Sequence, residues 1–266
     1  MPSGRVDILM YHSISDAPGP TSIAPDIFAA QMQALAASGL PVVSLDTLLD
    51  PAHQAKRSVV ITFDDGFADF EEIAWPILRN YNFRPIVYLP SGCIGETENW
   101  VGCNTPPRPL MGWNRVESLA SEGVQFGAHS ITHPDLAALD ADALEYEVAR
   151  SGHDIAERLG QPTRHFAPPY GSSSPVVRRC ISRHYTTSVG TRLGVAGLGA
   201  DLHDLPRLEM FYYTDITRWR AHLAGRGGAY LAARQALRKL RQMARKAGQR
   251  PNTVKDVFRN NSGPKP

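Results

Sequence analysis

The sequence predicts an α/β fold, a distorted (β/α) barrel of about seven parallel strands with a basic helix near the C-terminal end. Short apolar runs alternate with segments of helical periodicity along most of the chain. Residues 58–63 form a nearly continuous apolar run, which is typical of a strand covered on both faces. The length of 266 residues suits one catalytic domain of barrel size better than two small domains.

The predicted strands and helices follow one another in a repeating β–α order. We expect strands at residues 6–11, 42–43, 58–63, 86–89, 124–128, a short one closed by Phe166, and 185–190, and helices at 26–38, 68–80, 113–122, 140–159 and 175–183. Asp26 is a candidate N-cap of the first helix, and Gly39 is its expected stop. This alternation favours a parallel sheet, with functional residues at the carboxyl ends of the strands.

The composition limits the class of protein. A net charge of +2 and a hydrophobic content of 42% are ordinary for a soluble globular protein and give no overall case for nucleic-acid binding. Cys93 and Cys103 could pair in an oxidising compartment, whereas a reduced protein with incidental thiols is the alternative. The first strand is expected at Val6 with no secretory signal before it, and no run reaches the length of a membrane span. We therefore expect a cytoplasmic protein.

The C-terminal region differs in composition from the expected catalytic domain, residues 1–222. Residues 226–250 carry eight Arg or Lys residues and no Asp or Glu. Their apolar side chains follow a helical stripe that consists of Tyr230, Ala233, Leu237, Leu240 and Ala244. A basic amphipathic helix of this kind lies either on an anionic membrane surface, here the inner face, or against its own domain through the apolar stripe. Residues 251–266 are expected to be disordered.

Two motifs at the ends of predicted strands carry the chemistry. Residues 62–66 read Thr-Phe-Asp-Asp-Gly and place two adjacent carboxylates after an apolar run, and residues 129–133 read His-Ser-Ile-Thr-His. One Asp and two His residues form a three-ligand site for a divalent metal with open positions. The second Asp remains free to act as a base on a water molecule. Together the motifs indicate metal-assisted hydrolysis of an amide or an ester.

With the segment Phe-Ala-Pro-Pro-Tyr-Gly at residues 166–171, these motifs resemble the polysaccharide deacetylases of carbohydrate esterase family four over roughly residues 6–210. The resemblance implies a distorted barrel and a metal-activated water that removes an acetyl group from a sugar. It implies that the metal is Zn²⁺, with Co²⁺ or Ni²⁺ also accepted by such mixed sites. The resemblance implies that Asp65, His129 and His133 are the metal ligands and that Asp64 is the general base. It also implies that the backbone N–H of Tyr170 binds the oxyanion.

The sequence departs from the pattern of this family at three places. The family's usual Arg before Pro-Tyr is replaced by Ala167, and Arg207 on a late strand is our candidate substitute. A late Asp-x-x-Asp-Trp segment is absent from the sequence. The Leu-x-x-His motif that supplies the general acid ends at His12 instead of near the C-terminus, as in the circularly permuted deacetylases of exopolysaccharide systems. We therefore expect His12 to be the acid, with His203 and His222 as alternatives.

The irregular segment 91–112 follows a predicted strand and is the expected specificity loop. Within it Trp100 is a candidate for stacking on a sugar, and Pro169 and Tyr170 are further candidates for substrate binding. We expect removal of an N-acetyl group from a substrate that contains an amino sugar, either a cytosolic sugar, a lipid-linked glycan or a small glycoside. The alternatives are an O-acetyl esterase, a hydrolase of non-sugar amides or cyclic ureides, and an inactive carbohydrate-binding relative.

Overall fold

Seven parallel strands close a barrel in the computed structural model, which describes residues 4–50, 57–197 and 199–248. Each strand pairs with the next in the chain, and the first also pairs with the last. The strands are β1 (Val6–Tyr11), β2 (Ser58–Phe63), β3 (Ile86–Leu89), β4 (Gln125–Ala128), β5 (His165–Phe166), β6 (Thr187–Leu193) and β7 (Leu205–Glu209). This arrangement confirms the predicted distorted (β/α) barrel. The distortion is local, because β5 has only two residues and the register between β6 and β7 shifts.

The predicted helices are present close to their expected positions, and a further helix that the sequence did not predict, α6, spans Ile216–Leu223. In chain order the helices are α1 (Pro25–Ser38), α2 (Trp75–Asn80), α3 (Trp113–Ser121), α4 (Ala141–Leu159), α5 (Pro175–His184), α6 and α7 (Gly228–Gly248). The predicted N-cap Asp26 is wrong, because Pro25 occupies the first helical position and Ala24 precedes it. The helix predicted at 68–80 begins as a π-helical turn, Phe70–Ala74. The strand predicted at 42–43 is a single bridge from Val42 to Val59.

Alternation along the strands divides their side chains between the barrel interior and the helix layer. The interior is apolar in its lower layers, which include Val6, Ile8, Val60, Ile86, Tyr88, Val189 and Leu205. On the outer side, Phe63 packs its ring against Tyr11, Phe28 and Phe70. At the carboxyl end of the barrel this inner row continues with polar side chains, which include Thr62, Asp64 and Arg207.

The chain divides into two units at Gly227 and Gly228, with the barrel in the first and α7 in the second. Helix α7 lies within the range predicted for the basic helix, whereas the predicted disordered tail, 251–266, lies outside the described residues. No described helix is both long enough and apolar enough to cross a membrane.

A buried ionic cluster ties the amino end of the barrel to α6. The carboxylate of Asp7 on β1 is fully buried and accepts hydrogen bonds from Arg57 at 2.6 Å and from Arg5 at 3.0 Å. The Nε2 atom of His222 on α6 lies 3.1 Å from the same carboxylate. Burial alone would raise the pKa of Asp7, but His222, Arg57 and Arg5 together lower it to about 2.

We expect the charge of Asp7 to stabilise the fold in a pH-dependent way. Because its pKa is lower in the folded protein than in the unfolded chain, the stabilisation is present above about pH 4 and disappears as the pH falls through about 2. The shift corresponds to about 2 kcal/mol. Urea unfolding should therefore show a gap between wild type and Asp7→Asn that shrinks by this amount from neutral pH to pH 2. A gap that stays constant over this range would contradict the assignment.

Candidate active site

The chemical side chains predicted from the sequence gather at the carboxyl end of the barrel. Each one lies near or just beyond the end of a strand or in the turn that follows it, and parallel strands bring all their carboxyl ends to one rim. These residues are His12 after β1, Asp64 and Asp65 after β2, His129 and His133 after β4, Pro169 and Tyr170 after β5, and Arg207 within β7.

Asp65, His129 and His133 form a buried three-residue cluster that suits a metal ion. Their candidate ligand atoms all lie within 4.8 Å of one another. The Oδ1 atom of Asp65 lies 3.2 Å from Nε2 of His129 and 3.3 Å from Nε2 of His133. Neither approach has hydrogen-bond alignment, so this buried oxygen has no hydrogen-bond partner among the described residues. An unsatisfied carboxylate oxygen that faces two imidazole nitrogens fits the donor set of a divalent metal.

The surroundings of the two histidines fix their ring orientations. Nδ1 of His129 lies 2.5 Å from the backbone carbonyl of Ala167. This contact places the ring proton on Nδ1 and leaves the Nε2 lone pair facing Asp65. The ring of His133 is stacked against Trp100 at a centroid distance of 4.2 Å and meets the edge of Tyr170 at 4.9 Å. Both imidazoles are therefore held in place by contacts outside the cluster.

The charges within the cluster shift its pKa values in different directions. Burial alone would raise the pKa of Asp65, but the two imidazoles bring it well below its usual range. The pKa of His129 is raised, because Asp65 and Asp64 outweigh the effect of burial. Burial lowers the pKa of His133, and the neighbouring His129 adds to this effect. The site thus favours an ionised carboxylate facing two nitrogens, as metal ligation requires.

Strained backbone in the turns presents these groups. Asp65, His133 and Tyr170 have positive φ angles of 73°, 59° and 58°, which non-glycine residues rarely adopt. Such conformations each cost on the order of 1 kcal/mol and are concentrated at functional sites. Gly66 also has a positive φ, and a Cβ atom on it would lie 2.5 Å from Leu89. The glycine that ends the first motif is therefore favoured both by backbone conformation and by packing.

The second aspartate, Asp64, is held by a bidentate ion pair. Arg207 donates from Nη1 to Oδ1 at 2.7 Å and from Nη2 to Oδ2 at 2.6 Å. The guanidinium is itself fixed by hydrogen bonds to the carbonyl of Gly190 and to the hydroxyl of Thr62. Burial alone would raise the pKa of Asp64, but the charge and hydrogen bonds of Arg207 lower it below its ordinary value. The structure thus brings the candidate substitute for the missing family Arg into contact with the candidate base.

His12 is the one of the three candidate acids that lies at this end of the barrel. Its Nε2 atom is 3.8 Å from Oδ2 of Asp64, and its side chain is 17% exposed. Burial lowers its pKa despite the nearby aspartates. His203 instead contacts the backbone carbonyl of Tyr185, and His222 belongs to the Asp7 cluster at the amino end.

Sequence reasoning missed a residue that anchors the segment after His12. The carboxylate of Asp69 accepts a hydrogen bond from the Ser13 hydroxyl at 2.5 Å and another from the backbone N–H of Ile14 at 2.9 Å. Burial raises the pKa of Asp69. The sequence pointed to Asp69 only through its position four residues after Asp65, because the hydrogen-bond partners of Asp69 are more than fifty residues away in the chain.

Segment 91–112 lies against the cluster through Trp100. This side chain packs on an apolar group formed by Phe67, Cys93 and Leu110, while one of its faces covers His133. We therefore expect a sugar to stack only on the part of the Trp100 ring that His133 does not cover. The thiols of Cys93 and Cys103 are free in the structure.

A buried ion pair fixes the same segment. Arg108 pairs with Glu98 at 2.8 Å from both Nε and Nη2, and its guanidinium also donates to Ser22. It lies over the ring of Phe67 at 4.0 Å. The ion pair therefore links the predicted specificity loop to the loop after β1.

Known proteins are similar to this chain in sequence and in fold. Residues 52–189 match the polysaccharide deacetylase family, a range that contains the aspartate and histidine motifs but neither His12 nor Arg207. The putative polysaccharide deacetylase YxkH of Bacillus subtilis is 24% identical over 77% of this chain and 71% of its own length.

Two solved structures extend the comparison to the fold. The Streptococcus pyogenes deacetylase PplD, in complex with acetate, is 26% identical, with a TM-score of 0.67 over 77% of this chain and 92% of that one. IcaB from Ammonifex degensii is 22% identical and shares the fold, with a TM-score of 0.68 over 82% of this chain and 98% of that one. With the family match covering more than half of its length, the chain belongs to the polysaccharide deacetylases of carbohydrate esterase family four and is an enzyme, a carbohydrate de-N-acetylase of the hydrolase class.

Proposed function

We propose that this enzyme is a metal-dependent hydrolase that removes an N-acetyl group from an amino sugar within a glycan or glycoside. One observation carries the proposal. Asp64 is fixed by Arg207 and lies 3.8 Å from His12, while the adjacent Asp65 faces His129 and His133. Candidate base, candidate acid and candidate metal ligands therefore adjoin one another at the open end of the barrel.

The donor set of one carboxylate and two imidazoles suits Zn²⁺, and Co²⁺ or Ni²⁺ is also accepted by such sites. When bound, the ion would lower the pKa of a coordinated water and polarise the acetyl carbonyl. Asp65, His129 and His133 would hold it.

The remaining steps belong to side chains of the protein. Asp64 takes a proton from the attacking water as the water oxygen bonds to the carbonyl carbon, and Arg207 keeps the carboxylate ionised and oriented. The backbone N–H of Tyr170 donates to the carbonyl oxygen as negative charge develops there. His12 gives a proton to the nitrogen as the C–N bond breaks. The products are acetate and the free amine, and acetate is the molecule bound to the PplD relative.

The first test measures acetate released from a panel of N-acetylated hexosamines and their oligomers. We expect Asp64→Asn to lower kcat by about 10²- to 10⁴-fold, because a positioned general base contributes this much. A chelator should abolish the activity, and added Zn²⁺ should restore it. The control is Asp142→Asn, at an exposed position on α4.

Metal analysis and thermal unfolding of Asp64→Asn separate a loss of chemistry from a loss of metal or of fold. Acetate release that survives either the substitution or the chelator would refute the proposed mechanism.

The bidentate role of Arg207 gives a second test. Arg207→Lys keeps the positive charge but cannot hold both carboxylate oxygens and the Gly190 carbonyl together. We expect kcat to fall by about 10- to 100-fold with little change in KM, because the base loses its orientation. Arg192→Lys is the matched control, since this exposed arginine pairs with Asp204 in the same part of the chain. Equal kinetics for the two variants would remove Arg207 from the mechanism.

Asp69 gives a third test, as a positioning residue for His12. Asp69→Asn leaves the Ser13 hydroxyl without its carboxylate acceptor. We expect kcat to fall by about tenfold while KM and metal content stay unchanged, because only the acid is misplaced. In a His12→Gln background the same substitution should have no further effect on kcat. Additive losses in the double variant would show that Asp69 acts independently of His12. Asp16→Asn, at an exposed position in the same loop, is the control.

A further inference from the structure

The barrel site does not use α7, which combines a high positive charge with an exposed apolar face. Between residues 228 and 248 this helix carries six cationic residues and no acidic one: Arg234, Arg238, Lys239, Arg241, Arg245 and Lys246. Along the same helix, Leu237, Leu240 and Met243 are 49%, 58% and 58% exposed. We propose that α7 binds the surface of an anionic lipid bilayer.

Helical geometry separates the two kinds of side chain. At 3.6 residues per turn, Tyr230, Ala233, Leu237, Leu240 and Met243 fall within an arc of about 140°. The cations at 234, 238, 239 and 241 all fall outside this arc. A helix with one apolar face and one basic face lies in the plane of a membrane, with the apolar face at the acyl boundary and the cations among the headgroups.

Charge favours an anionic bilayer over two other candidate partners of α7, a second copy of the helix and a nucleic acid. Two copies of α7 packed through their apolar faces would bring cationic flanks together with no acidic residue to pair them. Nucleic-acid phosphates would neutralise the cations but leave Leu237, Leu240 and Met243 in water. An anionic bilayer satisfies both faces at once. This proposal is independent of the deacetylase mechanism, because it uses none of its residues.

The experiment is sedimentation of the full-length protein with vesicles of phosphatidylcholine, with and without phosphatidylglycerol. We expect binding to the anionic vesicles only, falling as salt is added. Substituting Leu237, Leu240 and Met243 together by Gln should weaken binding by at least about tenfold without loss of helix, since Gln is a good helix former. Substituting Arg238, Lys239 and Arg241 together by Gln should weaken it similarly. Tyr146→Gln and Val176→Gln, which remove exposed apolar groups elsewhere, should have no effect.

Three outcomes would overturn the proposal. The first is equal binding to both kinds of vesicle, or none. The second is a lower melting temperature of the apolar triple variant without lipid, since the face would then pack on the protein itself. The third is binding to anionic vesicles that the apolar substitutions leave unchanged. Acetate release from soluble substrates should be the same in every variant, so a failure of the membrane proposal leaves the catalytic one untouched.

Discussion

The active end of the barrel depends on the buried ion pair between Asp64 and Arg207. Asp64 directly follows β2 and Arg207 lies in β7, and these strands are not neighbours, because β1 lies between them in the closed sheet. Closure is therefore what allows the pair to form and what places His12, at the end of β1, beside it. With both charges almost fully buried, removal of either partner would leave an uncompensated charge, which costs several kcal/mol. Fold and catalytic geometry are coupled through this contact.

The two ends of the barrel use the same residue types for different purposes. At the amino end Asp7, Arg57 and His222 form a closed cluster beneath α6, with the guanidinium also bound to backbone carbonyls of that helix. At the carboxyl end an aspartate, an arginine and His12 adjoin a second group of polar side chains with an unsatisfied oxygen. An Asp–Arg–His set thus closes one end of the barrel, whereas the set at the other end adjoins the candidate metal ligands Asp65, His129 and His133.

Much of this site could be predicted because its motifs are local and follow strands. Asp64, Asp65, His129 and His133 needed only the rule that parallel strands present function at their carboxyl ends. The family pattern was needed to choose His12 over His222 as the acid, because both are histidines and the side chain alone does not distinguish them. Contacts between distant segments left no such signal: the Asp69 anchor joins residues more than fifty positions apart. The N-cap prediction at Asp26 failed for a local reason, since Pro25 is better suited to the first helical turn.

The structure brings the predicted specificity loop into contact with a candidate metal ligand. Trp100 covers one face of His133, and the loop that carries it is fastened by the buried pair of Glu98 and Arg108. The ring of His133 contacts both Trp100 and Tyr170, which are also candidate residues for substrate binding. We therefore expect changes in this loop to alter the orientation of His133 as well as the selection of substrate. On the proposed mechanism, substrate choice and metal affinity would consequently depend on the same segment of the chain.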